Sequence, residues 1–134
     1  MSKPRKRRSV RLPNIPMMPE LRDQFGMQMH TALVCLDRAP SADAFGQLAE
    51  VFNVVQVAIE HDARRTHEAR LINGGANALL QVQARVCKGI APQPHETAPI
   101  QIAVRTIDSI MGKIAVTSLF TAIQKLKALD RNNA

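Results

Sequence analysis

The sequence predicts an all-α protein: a small antiparallel bundle of about four helices with a flexible basic arm at its N-terminus. Three observations carry this. Apolar residues recur three and four positions apart through most of the chain, the period of a helix with one buried face. No segment shows a convincing two-residue alternation. The 134 residues include four Phe but no Tyr or Trp, so Leu, Ile, Val, Met and Ala must build the core, which suits helix packing.

The arm is residues 1–18 and the bundle residues 19–134. Lys3, Arg5, Lys6, Arg7, Arg8 and Arg11 put six cations and no acid into the first sixteen positions. That leaves 12 Lys and Arg against 11 Asp and Glu in the remainder, a net of +1. The formal charge of +7 is therefore almost entirely a property of the arm. Pro4, Pro13 and Pro16 oppose helix within it. The bundle is long enough to bury roughly two-thirds of its unfolded surface.

Pro19 opens the first helix at a position where its missing N–H costs nothing. Leu21, Phe25, Met29, Leu33 and Leu36 form its apolar stripe, and Ala39-Pro40 ends it near Arg38. Gly26 suggests a close approach to another helix. Ser41 is the expected N-cap of the second helix, with Asp43 favourably placed in the first turn. Phe45, Leu48, Phe52, Val55 and Ile59 form one stripe, which Val51, Val54 and Val57 widen toward a second neighbour. The polar run 60–70 is compatible with the helix continuing to Ile72.

Asn73-Gly74-Gly75 is the expected break before the third helix. That helix should run from about Ala76 to Lys88 on Leu79, Leu80, Val82 and Val86, with Gly89 ending it. Pro92 and Pro94 mark a loop over 90–98, after which Thr97 and Pro99 begin a long last helix reaching Leu129. Val104, Ile107, Met111, Ile114, Ser118 and Ile123 lie on one side of it, and Ile110, Leu119 and Phe120 elsewhere, which makes it central. Broad apolar coverage of the second and fourth helices also points to a homo-oligomer.

Cys35 and Cys87 lie far apart on helical stretches and read as two reduced thiols of a cytoplasmic protein, not a disulfide framework. The basic N-terminus lacks the apolar stretch of a signal peptide. The stretch Ile110–Ile123, interrupted by Lys113, is shorter than the roughly 18–20 residues a membrane span needs. No membrane association is expected.

The arm is the strongest functional signal. Lys and Arg neutralise phosphates, release condensed counterions and bind without reference to base sequence. Contact with nucleic acid or a nucleoprotein is the first reading; an acidic protein surface and a solubilising role are the alternatives. The body adds no Tyr or Trp for stacking on bases. Gln81, Gln83, Arg85 and Lys88 are the nearest approach to a recognition-helix face, and they read as a solvated surface. Glu60, Arg64 and Glu68 are spaced as an ion-pair ladder on one helix face. With Arg65 they form the candidate surface for a protein partner.

No nucleophilic dyad or triad, phosphate loop, cofactor site or zinc-ligand spacing is evident, so a non-enzymatic protein is expected. One set invites a metal reading. His30, the pair His61-Asp62, and Asp108 follow the order of the ligands in HD-domain phosphohydrolases, a helical family this set resembles. The resemblance implies imidazole ligands at His30 and His61 and carboxylate ligands at Asp62 and Asp108, holding an ion that activates water. The short chain and the Ala63-Arg64-Arg65 that follows Asp62 depart from that family.

The opening Lys3-Pro4-Arg5-Lys6-Arg7-Arg8, the Pro-rich spacer and the helical body resemble small accessory proteins carried by phages, prophages and plasmids of proteobacteria. Met29-His30-Thr31-Ala32-Leu33 through Phe45-Gly46-Gln47-Leu48 is similar in layout, and the resemblance covers about the first half of the chain. It implies a mobile-element accessory protein, or an inhibitor or adaptor of a host protein, and assigns no site residue.

Overall fold

The computed structural model describes residues 19–133. Their order is α1 (Pro19–Arg38), α2 (Ala42–Ile59), a single 3-10 turn (Ala63–Arg65), α3 (Thr66–Val86), α4 (Pro94–Met111) and α5 (Val116–Asn133). The helical bundle is as expected, with five helices rather than four among the described residues.

α2 is the hub, packed against α1, α3 and α5, while α4 closes the bundle on α3 and also touches α1. Met29 and Leu36 of α1, Leu48 and Phe52 of α2, Ile72 and Leu79 of α3, and Ile100 and Ile107 of α4 are all fully buried. The wide apolar coverage of α2 is thus used inside the bundle. It meets three neighbours, so its breadth is no argument for self-association. Two residues placed on apolar sides from the sequence are exposed instead: Leu80 at 60% and Phe120 at 47%.

The first two boundaries follow from capping. Ser41 accepts a hydrogen bond from the Ala44 N–H at 3.1 Å through its Oγ and starts α2. α2 does not continue to Ile72. It ends at Ile59, and the Asp62 carboxylate accepts from the Arg64 N–H at 3.0 Å to nucleate the 3-10 turn. A short side chain that bonds its own backbone two residues on competes with helix propagation.

Asn73-Gly74-Gly75 is not a break but lies inside α3. Tertiary packing reverses the local preference here. Gly75 is buried against α4, where a Cβ would run into the Ala103 Cβ and approach the Pro99 carbonyl oxygen at 3.0 Å. The close approach of α3 and α4 outweighs a glycine helix penalty of about 1 kcal/mol. Asn73 Oδ1 accepts from Gln56 Nε2 at 3.3 Å and ties α3 to α2. Gly26, by contrast, faces open space and marks no helix contact.

α3 ends at Val86, and Gly89, the expected terminator, closes its C-terminal turn with a φ of +85°. The Ile90 N–H donates to the Arg85 carbonyl and the Gly89 N–H to the Val86 carbonyl, both at 2.9 Å, the paired bonds of a Schellman motif. α4 begins earlier than expected, at Pro94, because Glu96 reaches back to accept the Gln93 N–H at 2.8 Å. Pro99 then sits inside the helix, forfeiting one backbone bond.

The expected long last helix is two helices. It breaks after Met111, where the Lys113 N–H bonds the Ile110 carbonyl at 2.8 Å, and Ile114 is turned into the core. The reversal lets α5 fold back onto α2, which a straight continuation would prevent. No helix among the described residues is long and apolar enough to cross a membrane.

Candidate functional site

The six cations Lys3, Arg5, Lys6, Arg7, Arg8 and Arg11 lie outside the described residues. The described part shows what surrounds their point of attachment. α1 starts at Pro19, and Arg22 in its first turn folds over the α4–α5 turn. Its Nη1 stands 2.9 Å from where a Cβ on Gly112 would lie. Exposed Lys113 follows directly in the chain. Two body cations therefore stand at the end of the bundle from which the arm departs.

Beside them is a depression of about 560 Å³ lined by Arg22, Asp23, Gly26, Met27, His30, Asp108 and Met111. His30 Nε2 and Asp108 Oδ2 meet in it at 2.6 Å, joining α1 to α4 across 78 residues of sequence. Both side chains are about half exposed.

The other half of the suggested metal set is elsewhere. His61 and Asp62 line a separate depression of about 460 Å³ between the end of α2 and α5, with Glu60, Thr117, Ser118 and Lys125 among its walls. The two depressions share no residue. Glu60 Oε2 accepts from Lys125 Nζ at 2.9 Å and lies 3.3 Å from His61 Nε2. The Lys125 hydrogen bond holds the Glu60 carboxyl below its ordinary range. Asp62 is bound by the Arg64 guanidinium and backbone, which lower its pKa, and the carboxylate in turn raises that of Arg64. His30 and Asp108 are brought together, but His61 and Asp62 do not join them. Among the described residues, no three His, Cys, Asp or Glu side chains are grouped to hold a metal ion.

The predicted ladder Glu60, Arg64, Glu68 is also not formed, because the 3-10 turn interrupts the helix between its members. Glu60 pairs with Lys125, Arg64 with Asp62, and Glu68 approaches Arg65 at 3.8 Å. The Arg65 and Glu68 side chains are only 17% and 25% exposed, so the four residues do not make one open surface. On α3, Gln81, Gln83 and Lys88 are exposed as expected. Arg85 instead makes a two-point bond to Glu96, with Nη1 to Oε1 at 3.1 Å and Nη2 to Oε2. That hydrogen bond, with a second from the Gln93 N–H, lowers the Glu96 carboxyl to about 2. Cys35 is half-buried and Cys87 exposed, and both are free thiols.

One further concavity was not evident from the apolar stripes. It is a groove of about 660 Å³ along α2, walled by Phe25 of α1 and by Ile123 and Leu126 of α5. Its floor is the row Ala42, Gly46, Ala49 and Asn53, small or short side chains four, three and four apart. That spacing was the available signal: a second, shallow stripe of small residues along one side of α2, flanking the large apolar residues.

Compared with known proteins, the chain matches no family model, no curated protein and no solved structure.

Proposed function

We propose that this chain is a small non-enzymatic interaction protein of a bacterial mobile element, whose basic arm contacts nucleic acid or a nucleoprotein while the helical bundle presents it. The observation that carries the reading is the placement of charge. Arg22 and Lys113 stand at the end of the bundle where α1 begins, and six further cations precede α1 in the sequence. Arginine guanidinium groups pair with phosphate oxygens in two-point geometry, and each neutralised phosphate releases counterions.

The test is fluorescence anisotropy with labelled random duplex and single-stranded probes over a salt series. The full chain is compared with a variant in which the six arm cations are replaced by Gln. Six phosphate contacts give a log–log salt slope of about −5.4 on duplex and about −4.2 on single strands. The neutralised arm should lose most of that slope. Arg22→Gln and Lys113→Gln should each reduce it by up to about 0.9 on duplex. No binding of the full chain at low salt would exclude the reading and direct the search to an acidic protein partner.

A further inference from the structure

We propose that two copies of this chain pair through the groove along α2, each seating its α5 on the partner's α2. The proposal is independent of what the basic arm binds.

The groove lies on the side of α2 that the bundle leaves open. The core consumes the stripe of Leu48, Phe52 and Val55, whereas Gly46, Glu50 and Asn53 face solvent. Gly46 has nothing within 4 Å of the point a Cβ would occupy. The floor of Ala42, Gly46 and Ala49 therefore leaves room for a helix to approach. Phe25, Ile123 and Leu126 wall the groove, and they pack on the core yet stay only partly buried. A second depression of about 580 Å³ continues this face toward α1. It shares Gln28, Gln47 and Glu50 with the groove and adds Met27, which is 70% exposed. On α5, Phe120 stands two turns before Lys127 on the same flank and is also exposed. Apolar residues on both sides of a groove supply the core of an interface.

Charge names the occupant. Among the described residues, those with a charge that line the two depressions are Asp43 and Glu50 of α2 and Lys127 of α5. None of the three joins an ion pair among the described residues. Glu50 accepts a long hydrogen bond from Gln28 Nε2 at 3.4 Å. The face thus carries both signs, parted onto different helices. Such a pattern suits neither nucleic acid, which the two acids oppose, nor a cationic segment, which Lys127 opposes.

A second copy suits it. In a two-fold contact each copy receives what it gives. An axis across the groove sets α2 on α2 and α5 on α5, like charge against like. An axis along the groove, between α2 and α5, sets each α5 on the partner's α2. Lys127 of each copy then meets the acids of the other, and two equivalent pairs form about one axis. Glu50, common to both depressions, is the acid at the centre of the face.

The test is sedimentation velocity on the nuclease-treated full chain over a concentration series, where a monomer–dimer equilibrium is expected. Glu50→Lys and Lys127→Glu each replace two attractive contacts by two repulsive ones, and each should weaken the dimer by about tenfold or more. Both positions are exposed, so the far-UV circular dichroism should stay unchanged. An equimolar mixture of the two variants should recover association, because one then carries cations at both paired positions and the other carries acids. Gly46→Gln adds neutral bulk to the floor and should also weaken the dimer. A chain that stays monomeric at every concentration overturns the proposal and leaves the groove to another partner. So does a dimer that the charge reversals leave unaltered, and so do reversed variants that stay apart when mixed. A dimer indifferent to Gly46→Gln lies on another face, which overturns the proposal as well.

Discussion

Gly75 on α3 sits directly against Ala103 on α4, so closely that residue 75 has no room for a Cβ. The contact sets the spacing of the most intimately packed helix pair in the bundle. Its neighbour Gly74 faces open space, with nothing within 4 Å of the point a Cβ would occupy.

Substitution at these adjacent glycines should therefore act in opposite directions. Gly75→Ala forces α3 and α4 apart at a contact of backbone and Cβ atoms that cannot swing away. The overpacking should outweigh the gain in helix propensity and destabilise the fold by about 1–3 kcal/mol. Gly74→Ala keeps the propensity gain alone and should stabilise by up to about 1 kcal/mol. Urea denaturation of both variants measures the two signs directly.

The same pair explains what the sequence revealed and what it concealed. Local signals were legible where a side chain or a backbone restriction acts within a few residues. Pro19, Ser41 and Gly89 mark real boundaries for that reason. Asn73-Gly74-Gly75 carries an equally clear local signal, yet the helix continues through it because α4 needs the missing Cβ. The end of α2 has no glycine or proline at all; Asp62 ends it by bonding the Arg64 backbone. The reversal at Gly112 gains α5 its seat on α2, which no local window contains. Of the candidate site residues, His30 and Asp108 meet only because α1 packs on α4, and nothing in their spacing distinguishes them from His61 and Asp62.

The Arg85–Glu96 bond should appear in the acid limb of stability. Glu96 has a folded-state pKa lowered from 4.5 to about 2, first by Arg85 and then by the Gln93 N–H. A depressed carboxylate contributes stability that is present above its unfolded pKa and lost as pH falls through the folded value. The melting temperature of the wild type should therefore fall more steeply than that of Glu96→Gln between about pH 4.5 and about pH 2, converging at the acid end. Glu60 and Asp62 titrate low in both proteins, so the difference between the two curves isolates Glu96. Parallel curves across this window would show that the Arg85 bond does not form in solution.

Gly89 holds the left-handed conformation that lets Ile90 and Gly89 bond back onto the end of α3. A Cβ there meets only the Pro40 carbonyl oxygen at 3.9 Å, so space is not the constraint. Gly89→Ala should cost about 1–2 kcal/mol through backbone strain alone. Gly89→Asn should cost less, because asparagine tolerates that region better. Thermal denaturation of the two variants separates strain from packing.

His30 and His61 should behave as members of two unrelated sites. His30 is held by Asp108 between α1 and α4, whereas His61 lies beside Glu60 at the end of α2, and the depressions that contain them have no residue in common. Half-exposed side-chain contacts of this kind contribute little, so a double-mutant cycle on His30→Ala and Asp108→Asn should give a coupling of about 0.2–1 kcal/mol. The cycle on His30→Ala and His61→Ala should be additive to within about 0.5 kcal/mol, as for sites without shared partners. Titration of the full chain with zinc or manganese, followed through the imidazole resonances, should then move His30 and His61 with separate midpoints. A single midpoint for both, abolished by His61→Ala, would mean that the chain draws the four residues into one metal centre by moving the end of α2 toward α4.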